Sequence, residues 1–327
     1  LLAAANMMRS SFAVDPIMET RAQAGGKPDG AAADKTADVA AGLEAMWRPA
    51  REWRGFLQID GGFGAEGSAP GGAVGYDYRG LGLLAGLERR YGEELALGAL
   101  LGWTTNHGDL SQSRGEAHDN VLRLGGYGAW RWGGFFGTLA PTVGCHLLET
   151  RRHVGFMGRT ARGGRTGLDV HLLGQAGYVW ELPHDFLVTP EASLAMTYMH
   201  DPEYTEAGAG GACLKIDALD DWSLTQNLKL TVGKAVRLGG GFALLPEVWG
   251  GWEHEYGATN DVSCAFAAVP GMKWRVPVAD IASDRAVVGA GVHALFNDRV
   301  DLYGRYELKA WKGGSFHQFS LGAGIKF

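Results

Sequence analysis

Apolar and polar residues alternate along most of the chain beyond residue 51. The clearest run spans residues 186–198, where one face of an extended segment carries Phe186, Val188, Ala192, Leu194, Met196 and Tyr198. The other face carries Thr189, Glu191, Ser193, Ala195 and Thr197. Successive side chains of a strand point to opposite faces, so a period of two predicts β-structure. The same alternation recurs in runs that begin at Leu168, Leu228 and Leu302, and the predicted fold class is all-β.

The length of these runs and the position of the aromatic residues separate a membrane barrel from a soluble sandwich. Strands of globular proteins usually have about 5 or 6 residues, whereas a tilted strand that crosses a bilayer needs about 9 to 11. The runs 74–89 and 186–199 clearly exceed the globular length. Aromatic residues lie towards the ends of the runs, as interfacial girdles require: Trp53, Tyr91, Trp103, Trp132, Phe135, Trp180, Tyr198 and Trp311.

The alternation predicts about twelve antiparallel strands in a transmembrane β-barrel, an even number as in bacterial outer-membrane barrels. The segments are 52–63, 74–89, 94–105, 119–132, 135–149, 166–181, 186–199, 222–237, 241–256, 285–296, 299–310 and 315–327. Links after even-numbered strands are short: 90–93, 133–134, 182–185, 238–240 and 297–298. Most links after odd-numbered strands are long: 107–118, 151–165, 201–221 and 257–284. Short periplasmic turns and long outer loops follow the same rule, and we predict a hairpin at 262–276 inside the last long loop.

The two ends of the chain have their own patterns. Phe319, Leu321, Ile325 and Phe327 alternate with small or polar residues, and we expect them to form the closing strand and a C-terminal insertion signal. Apolar residues recur every three or four positions at Leu2, Ala5, Met8 and Phe12. This spacing predicts a helical segment over residues 1–23. Residues 24–51 are predicted to be a linker and residues 52–327 the barrel. The sequence starts at Leu1 without the basic region, apolar region and cleavage site of a signal peptide, so we expect it to be the C-terminal part of a longer precursor.

The composition excludes or disfavours several other classes of protein. The 327 residues have 46% hydrophobic content and a mean hydropathy of −0.09, with no apolar run near the 18 residues that a membrane helix requires. The net charge of −6 and the absence of a basic run give no indication of nucleic-acid binding. Cys145, Cys213 and Cys264 have no zinc-ligand spacing. They are either isolated thiols or, for Cys213 and Cys264 in neighbouring loops, a disulfide of an oxidising compartment.

The strand face opposite the apolar residues is expected to line the lumen. We single out its polar and charged members: Arg54, Gln58, Asp60, Arg123, His171, Gln175, Glu191, Lys229, Glu247, Arg305, Glu307, Lys309 and Gln318. One interpretation of this set is an ordinary charged lining of a water-filled pore. The sequence indicates no catalytic constellation, no cofactor and no metal site.

Several segments resemble the β-domain of autotransporters, the proteins of type V secretion. The most specific part runs from Pro190 through Tyr204-Thr205-Glu206-Ala207-Gly208 and Leu214-Lys215-Ile216-Asp217 to the strand that ends Leu228-Lys229-Leu230-Thr231-Val232-Gly233. Tyr76-Asp77-Tyr78 is similar to the start of the family's second strand, and Leu245-Pro246-Glu247 to Trp252-Glu253-His254-Glu255 is similar to its ninth. The resemblance covers nearly all of residues 52–327.

The resemblance implies an outer-membrane translocator that assists export and surface anchoring of an N-terminal passenger. Its implied partners are membrane lipid, the covalently linked passenger, the barrel assembly machinery and periplasmic chaperones. In this family a helix before the barrel threads the pore, which would be the role of residues 1–23. The second interpretation of the lumen set is then that part of it holds this helix through Arg9, Asp15 or Glu19, and Gly80, Gly82, Gly98 and Gly102 are predicted to give the helix room. Eight strands are filled by side chains and about sixteen leave a channel, so about twelve can admit a helix about 10 Å wide. Some members release the passenger at an Asn-Asn pair; Asn6 is followed by Met7, so that route is not expected.

Two other function classes stay open at the level of the sequence. One is a free-standing outer-membrane pore or porin-like channel. The other is a barrel-embedded hydrolase that uses Asp169 and His171, which share one strand face. Deleting residues 1–23 separates the first from a plugged translocator, and substrate assays test the second.

Overall fold

The computed structural model describes residues 53–67, 75–92, 94–239, 241–257, 261–277, 283–297 and 299–327. The predicted helix at 1–23 and the linker at 24–51 lie outside these residues. The strands, in chain order, are β1 (Trp53–Glu66), β2 (Tyr76–Tyr91), β3 (Leu95–Leu110), β4 (Gly115–Trp132), β5 (Phe135–Val154), β6 (Arg159–Tyr178), β7 (Trp180–Leu182), β8 (Phe186–Asp201), β9 (Tyr204–Thr205), β10 (Leu214–Ile216), β11 (Leu219–Lys234), β12 (Val236–Gly239), β13 (Phe242–Tyr256), β14 (Asp261–Phe266), β15 (Lys273–Pro277), β16 (Asp284–Phe296), β17 (Val300–Trp311) and β18 (Gly314–Lys326).

A closed barrel of 12 antiparallel strands forms the body of the protein. Its strands are β1 to β6, β8, β11, β13 and β16 to β18, and each pairs with the next barrel strand along the chain. The barrel closes where β1 pairs with β18, from Arg54 opposite Lys326 to Glu66 opposite Gly314. Closure pairs the backbone groups at both edges of the sheet, which is what a strand needs in a medium without water.

All twelve predicted segments fall on the twelve barrel strands, and the predicted hairpin at 262–276 is formed by β14 and β15. Two predicted long loops were wrong. Residues 107–118 and 151–165 are mostly strand, because β3 pairs with β4 and β5 with β6 up to short turns at residues 111–114 and 155–158. No helix among the described residues is long and apolar enough to cross a membrane.

The outer surface of the barrel is covered by apolar side chains that are all exposed: Leu57, Leu83, Leu101, Leu122, Leu172, Leu194, Leu230, Val248, Val288, Leu302 and Leu321. An apolar outer band with a polar interior is the arrangement of outer-membrane barrels. Trp53, Tyr91, Trp132, Phe135 and Trp180 lie at the periplasmic end of this surface, as predicted. Trp311 is an exception, because its indole points inward and donates to the Glu66 carboxylate at 2.6 Å.

A small second sheet lies at the outer end of the barrel, in the order β15-β14-β10-β9. It packs on the ends of β5 and β6, where Val154 and Ala161 form a buried cluster with Ala209, Ala212 and Cys213. Arg152 of β5 binds the Glu206 carboxylate at 2.5 and 3.0 Å, and the same carboxylate accepts a hydrogen bond from the Leu214 amide. The described residues of the predicted loops 201–221 and 257–284 therefore form one structured cap over this side of the barrel.

The three cysteines are free thiols, which is the first of the two alternatives left open by the sequence, and no bridge joins Cys213 and Cys264. Both residues are buried; Cys264 lies in β14 opposite Ile216, while Cys213 directly precedes β10. Burial raises the pKa of the Cys264 thiol, which lowers the thiolate fraction.

We expect Cys264 to react at least about tenfold more slowly with a water-soluble maleimide in the folded protein than after denaturation, because both access and thiolate fraction are reduced. Intact-mass spectrometry of time points measures the labelling. Equal rates in the two states, or a mass lower by two hydrogens before reduction, would contradict this assignment.

Candidate functional site

The inner wall of the barrel carries the predicted polar set. Arg54, Asp60, Arg123, His171, Gln175, Lys229, Glu247, Glu307 and Lys309 are buried, on strand faces opposite the exposed apolar residues. Side chains of Glu191 and Arg305 are 7% and 13% exposed. Because buried charges are costly unless they are paired, the contacts between these residues determine what the wall can do.

An acidic and basic cluster joins β4, β5 and β6 in the outer half of the lumen. The Arg123 guanidinium donates to both Asp169 carboxylate oxygens at 2.7 and 2.9 Å and to Thr142 Oγ1 at 3.0 Å. The His146 ring lies between two carboxylates, with Nε2 at 2.7 Å from Asp169 and Nδ1 at 2.9 Å from Asp119. A bidentate arginine pair and a bridging imidazole fix the three strands relative to one another.

A second cluster is centred on Glu253 of β13. Lys309 Nζ lies 2.5 Å from one carboxylate oxygen, and Arg285 Nη1 lies 2.9 Å from the other. Asn227 of β11 donates to the same carboxylate at 3.3 Å. The Arg285 and Lys309 side chains are each 2% exposed. Glu253 gives both cations their shortest ion pair, while Glu255 lies 3.7 Å from Arg285 and Glu307 lies 4.0 Å from Lys309.

A third group surrounds the indole of Trp249 on the same side of the lumen. The Arg305 guanidinium lies 4.3 Å from the ring centroid and 3.5 Å from Glu247, and Trp249 Nε1 donates to Glu307 at 3.0 Å. Lys229 pairs with Glu191 at 3.0 Å and also faces the ring, at 5.7 Å. Cation–π contacts and ion pairs thus hold several predicted residues against the wall.

The closure seam between β1 and β18 has its own polar contacts. Arg54 of β1 forms a bidentate pair with Asp301 of β17, at 2.6 and 3.0 Å. Asp60 of β1 accepts hydrogen bonds from Ser320 of β18 at 2.5 Å and from Gln58. The Tyr303 hydroxyl donates to Gln58 across the same seam. These contacts connect β17 and β18 with β1, where the barrel is closed.

Glycines of the inner face make room for aromatic rings of the wall. A Cβ atom at Gly98 would lie 2.1 Å from the Tyr127 ring, and one at Gly322 would lie 2.1 Å from the Tyr303 ring. A Cβ atom at Gly289 would lie 2.3 Å from the Trp249 ring. At Gly98 the missing side chain lets the Tyr127 ring lie against the wall, while the prediction that this glycine gives room to a threaded helix stays a prediction.

The residues suggested for a hydrolase do not form a catalytic arrangement. The Asp169 carboxylate is bound by Arg123 and His146, while His171 Nδ1 lies 2.9 Å from Thr197 Oγ1. A triad needs the carboxylate to orient the histidine that contacts the nucleophile. Asp169 orients His146 and not His171, so the His171–Thr197 contact lacks the carboxylate that a triad requires.

Several charged residues of the wall were missed by the sequence prediction: Asp119, His146, Glu253, Arg285 and Asp301. Glu253 lies an even number of residues from Glu247 on β13, so the two side chains leave the same face, and Arg285 lies on the inward face of β16. Applying the alternation to the whole of each strand would have predicted both as lumen residues. His146 lies between the exposed Val143 and Leu147 on the inward parity of β5, so the alternation would have selected it as well, whereas Asp119 lies where no large apolar residue precedes it on β4.

The comparisons with known proteins agree with this geometry. Residues 55–307 match the model of the autotransporter β-domain family. Two curated proteins of Serratia marcescens, both named extracellular serine protease, are 27% and 26% identical over 236 and 238 residues. These matches cover 70% of this chain but only 22% of each relative.

Solved structures show the same fold. The translocator domain of the autotransporter NalP from Neisseria meningitidis matches with a TM-score of 0.69 and 17% identity, over 90% of this chain and 98% of that one. The β-domain of the Bordetella autotransporter BrkA matches with a TM-score of 0.66 and 22% identity, over 84% and 100% of the two chains. The family model spans most of the chain, and the protein belongs to the autotransporter β-domain family.

Proposed function

We propose that this chain is the membrane-inserted translocator of a longer autotransporter, which assists the export of an N-terminal passenger and anchors it at the surface. The observation that carries the proposal is the contrast between the two faces of each barrel strand. Apolar side chains cover the outside, while paired charges cover the inside. Burial of the outer band in lipid drives insertion, and barrel closure satisfies the backbone.

The outer membrane is the compartment in which this family inserts, and the partners follow from the family. They are outer-membrane lipid, the barrel assembly machinery and periplasmic chaperones. Phe319, Leu321, Ile325 and Phe327 support an insertion signal because their side chains, on β18 and directly after it, are 45 to 64% exposed on the outer face of the barrel. The passenger would occupy the part of the precursor outside this chain, as the 22% coverage of the relatives suggests.

We further propose that residues 1–23 form a helix inside the lumen, held in part by the residues singled out above. Support comes from the mixed character of the wall. Leu84, Leu100 and Leu173 form a buried apolar cluster on the inner face, next to strands that carry both charge signs. Residues 1–23 likewise contain both apolar and charged residues, so a helix formed by them would match a lining of this mixed character.

Deletion of residues 1–23 is expected to raise the single-channel conductance of the purified protein in planar bilayers strongly. A helix about 10 Å wide excludes water and ions from the pore, and its removal opens that cross-section. A synthetic peptide of residues 1–23 should restore the low conductance, whereas a scrambled peptide of the same composition should not. An unchanged conductance after the deletion would reject the plug, and a high conductance of the intact chain would favour the free-standing pore.

We propose no enzymatic role for the barrel itself. The wall histidines and carboxylates described above are engaged with one another, as in the Arg123, His146 and Asp169 cluster. The protease activity in the names of the two relatives belongs to those proteins. Any activity of the autotransporter proposed here would reside in its passenger.

A further inference from the structure

The outer face of the β3–β4 hairpin carries two histidines and two carboxylates above the apolar band. His107 of β3 is directly opposite His118 of β4, and Asp109 is opposite Glu116. The four positions differ by two along each strand, so their side chains leave the same face of the hairpin. This face is the outward one, since it continues from the exposed Trp103 of β3.

The donor atoms of this set already lie close to one another. His107 Nε2 is 3.1 Å from Asp109 Oδ1, and one donor each of His107, Asp109 and Glu116 lie within 4.8 Å of one another. The His118 ring centroid lies 6.1 Å from that of His107. Four donors around one ion at about 2.0–2.2 Å must converge further, which rotation of partly exposed side chains permits.

The negative charge at this place comes from the set itself, which contains two carboxylates. The flanking charges balance: Asp77 and Arg79 of β2 are paired opposite Asp109 and His107, and Glu149 and Arg151 of β5 are paired opposite His118 and Glu116. Arg151 binds one oxygen of Glu116 at 2.8 Å, but both side chains are substantially exposed. An exposed pair of this kind contributes little energy, and the second carboxylate oxygen stays available for an ion.

We propose that His107, Asp109, Glu116 and His118 bind one divalent transition-metal ion of the zinc type. Two imidazoles with two carboxylates are a donor set for Zn²⁺ and neighbouring metals, whereas Ca²⁺ and Mg²⁺ prefer oxygen ligands alone. The ion cross-links the outer ends of β3 and β4 at the extracellular rim. This site is separate from the lumen and does not depend on the proposed export function.

Two other places on the barrel provide matched controls. His200 lies 2.7 Å from Asp220, and His254 lies 2.9 Å from Asp284, so each offers one imidazole beside one carboxylate. The structure gives neither of these pairs the second cross-strand imidazole that His118 supplies opposite His107. These two sites therefore share the histidine–aspartate pair of the proposed site but lack its second imidazole.

The test is titration of Zn²⁺ into the tag-free, EDTA-treated and dialysed chain in detergent, followed by calorimetry. We expect one ion per chain from this set, and binding weakened at least about tenfold by His118→Ala or Asp109→Asn, as ligand loss requires. The double variant His107→Ala/His118→Ala should abolish this binding, while His200→Ala and His254→Ala should leave it unchanged. Co²⁺ should give a d–d absorption spectrum that the double variant lacks.

The variants lie on the exposed rim, and retention of folded migration on gels without boiling will verify that each one folds. Absence of Zn²⁺ binding by the unmodified chain, or binding that is unchanged in the double variant, overturns the proposal. Equal losses in His254→Ala and His118→Ala also overturn it, because they would mean that single histidine–aspartate pairs suffice.

Discussion

Glu253→Ala is expected to lower the free energy of unfolding of the barrel by about 3–5 kcal/mol, the usual cost of breaking a buried ion pair from one side. The substitution leaves the Arg285 guanidinium and the Lys309 ammonium without their shared carboxylate. Both side chains are 2% exposed, so water cannot readily replace the lost partner. Urea unfolding in detergent micelles, followed by tryptophan fluorescence, measures the change.

A matched control is the same substitution at an exposed carboxylate. Glu203 pairs with Lys215 at 3.0 Å, but the two side chains are 61% and 36% exposed. Glu203→Ala should cost no more than about 1 kcal/mol, because exposed pairs are weak. If Glu253→Ala costs no more than Glu203→Ala, the lumen charges are hydrated and do not stabilise the wall. Adding Lys309→Met to Glu253→Ala should recover part of the loss, since it removes a buried cation that keeps only the more distant Glu307, at 4.0 Å.

The barrel could be predicted from the sequence because the lipid-facing residues keep a strict period over each crossing. In β6, Leu168, Val170 and Leu172 are exposed on one face, while Asp169 and His171 are buried on the other. A charged residue on the lipid face near the middle of a bilayer costs about 2–4 kcal/mol. The alternation therefore persists through the crossing, and the number of crossings can be counted.

The same reasoning explains why two outer strand extensions were missed. At the start of β4, residues 115–120 contain Glu116, His118, Asp119 and Asn120, and they form strand although neither face is apolar. Outside the membrane both faces of a hairpin meet water or polar cap residues, so the period of two disappears while the backbone pairing continues. Loops were therefore predicted at the positions where the apolar alternation ends, although the strands continue beyond them.

The inward set could be predicted, but its partners could not. The alternation of faces along each strand is enough to assign Arg54 and Lys309 to the lumen. The partner of Arg54 is Asp301, 247 residues away, and the partner of Lys309 is Glu253, 56 residues away. Which inward residues meet depends on strand register and on the stagger of the whole barrel. Neither quantity is encoded in the local pattern of one strand.

The cross-strand set at the outer rim was missed for a related reason. Metal ligands were sought at short spacings along the chain, but His107 and His118 are brought together by the β3–β4 register. The lumen glycines were interpreted from composition alone, as space for a helix. The structure also places a ring from the neighbouring strand beside Gly98, which the composition could not show.

Gly322→Ala is expected to destabilise the closure seam by about 1–3 kcal/mol, the range for overpacking a filled site. The new methyl group would lie 2.1 Å from the Tyr303 ring, which therefore has to move. Tyr303 stacks on His293 at 5.5 Å and donates its hydroxyl hydrogen bond to Gln58 of β1. Displacing the ring disturbs both contacts, at the point where the last strands meet the first.

The matched control for this substitution lies on the opposite side of the same seam. Gly61 of β1 has no heavy atom within 4 Å of an added Cβ, so Gly61→Ala adds the same methyl group without a clash. Its expected effect is within about 0.5 kcal/mol of the unmodified chain. Temperature series of folded and unfolded bands on semi-native gels should rank the chains with Gly322→Ala lowest. If both variants unfold together, Tyr303 has a second low-energy position, and the glycine at 322 serves only the backbone.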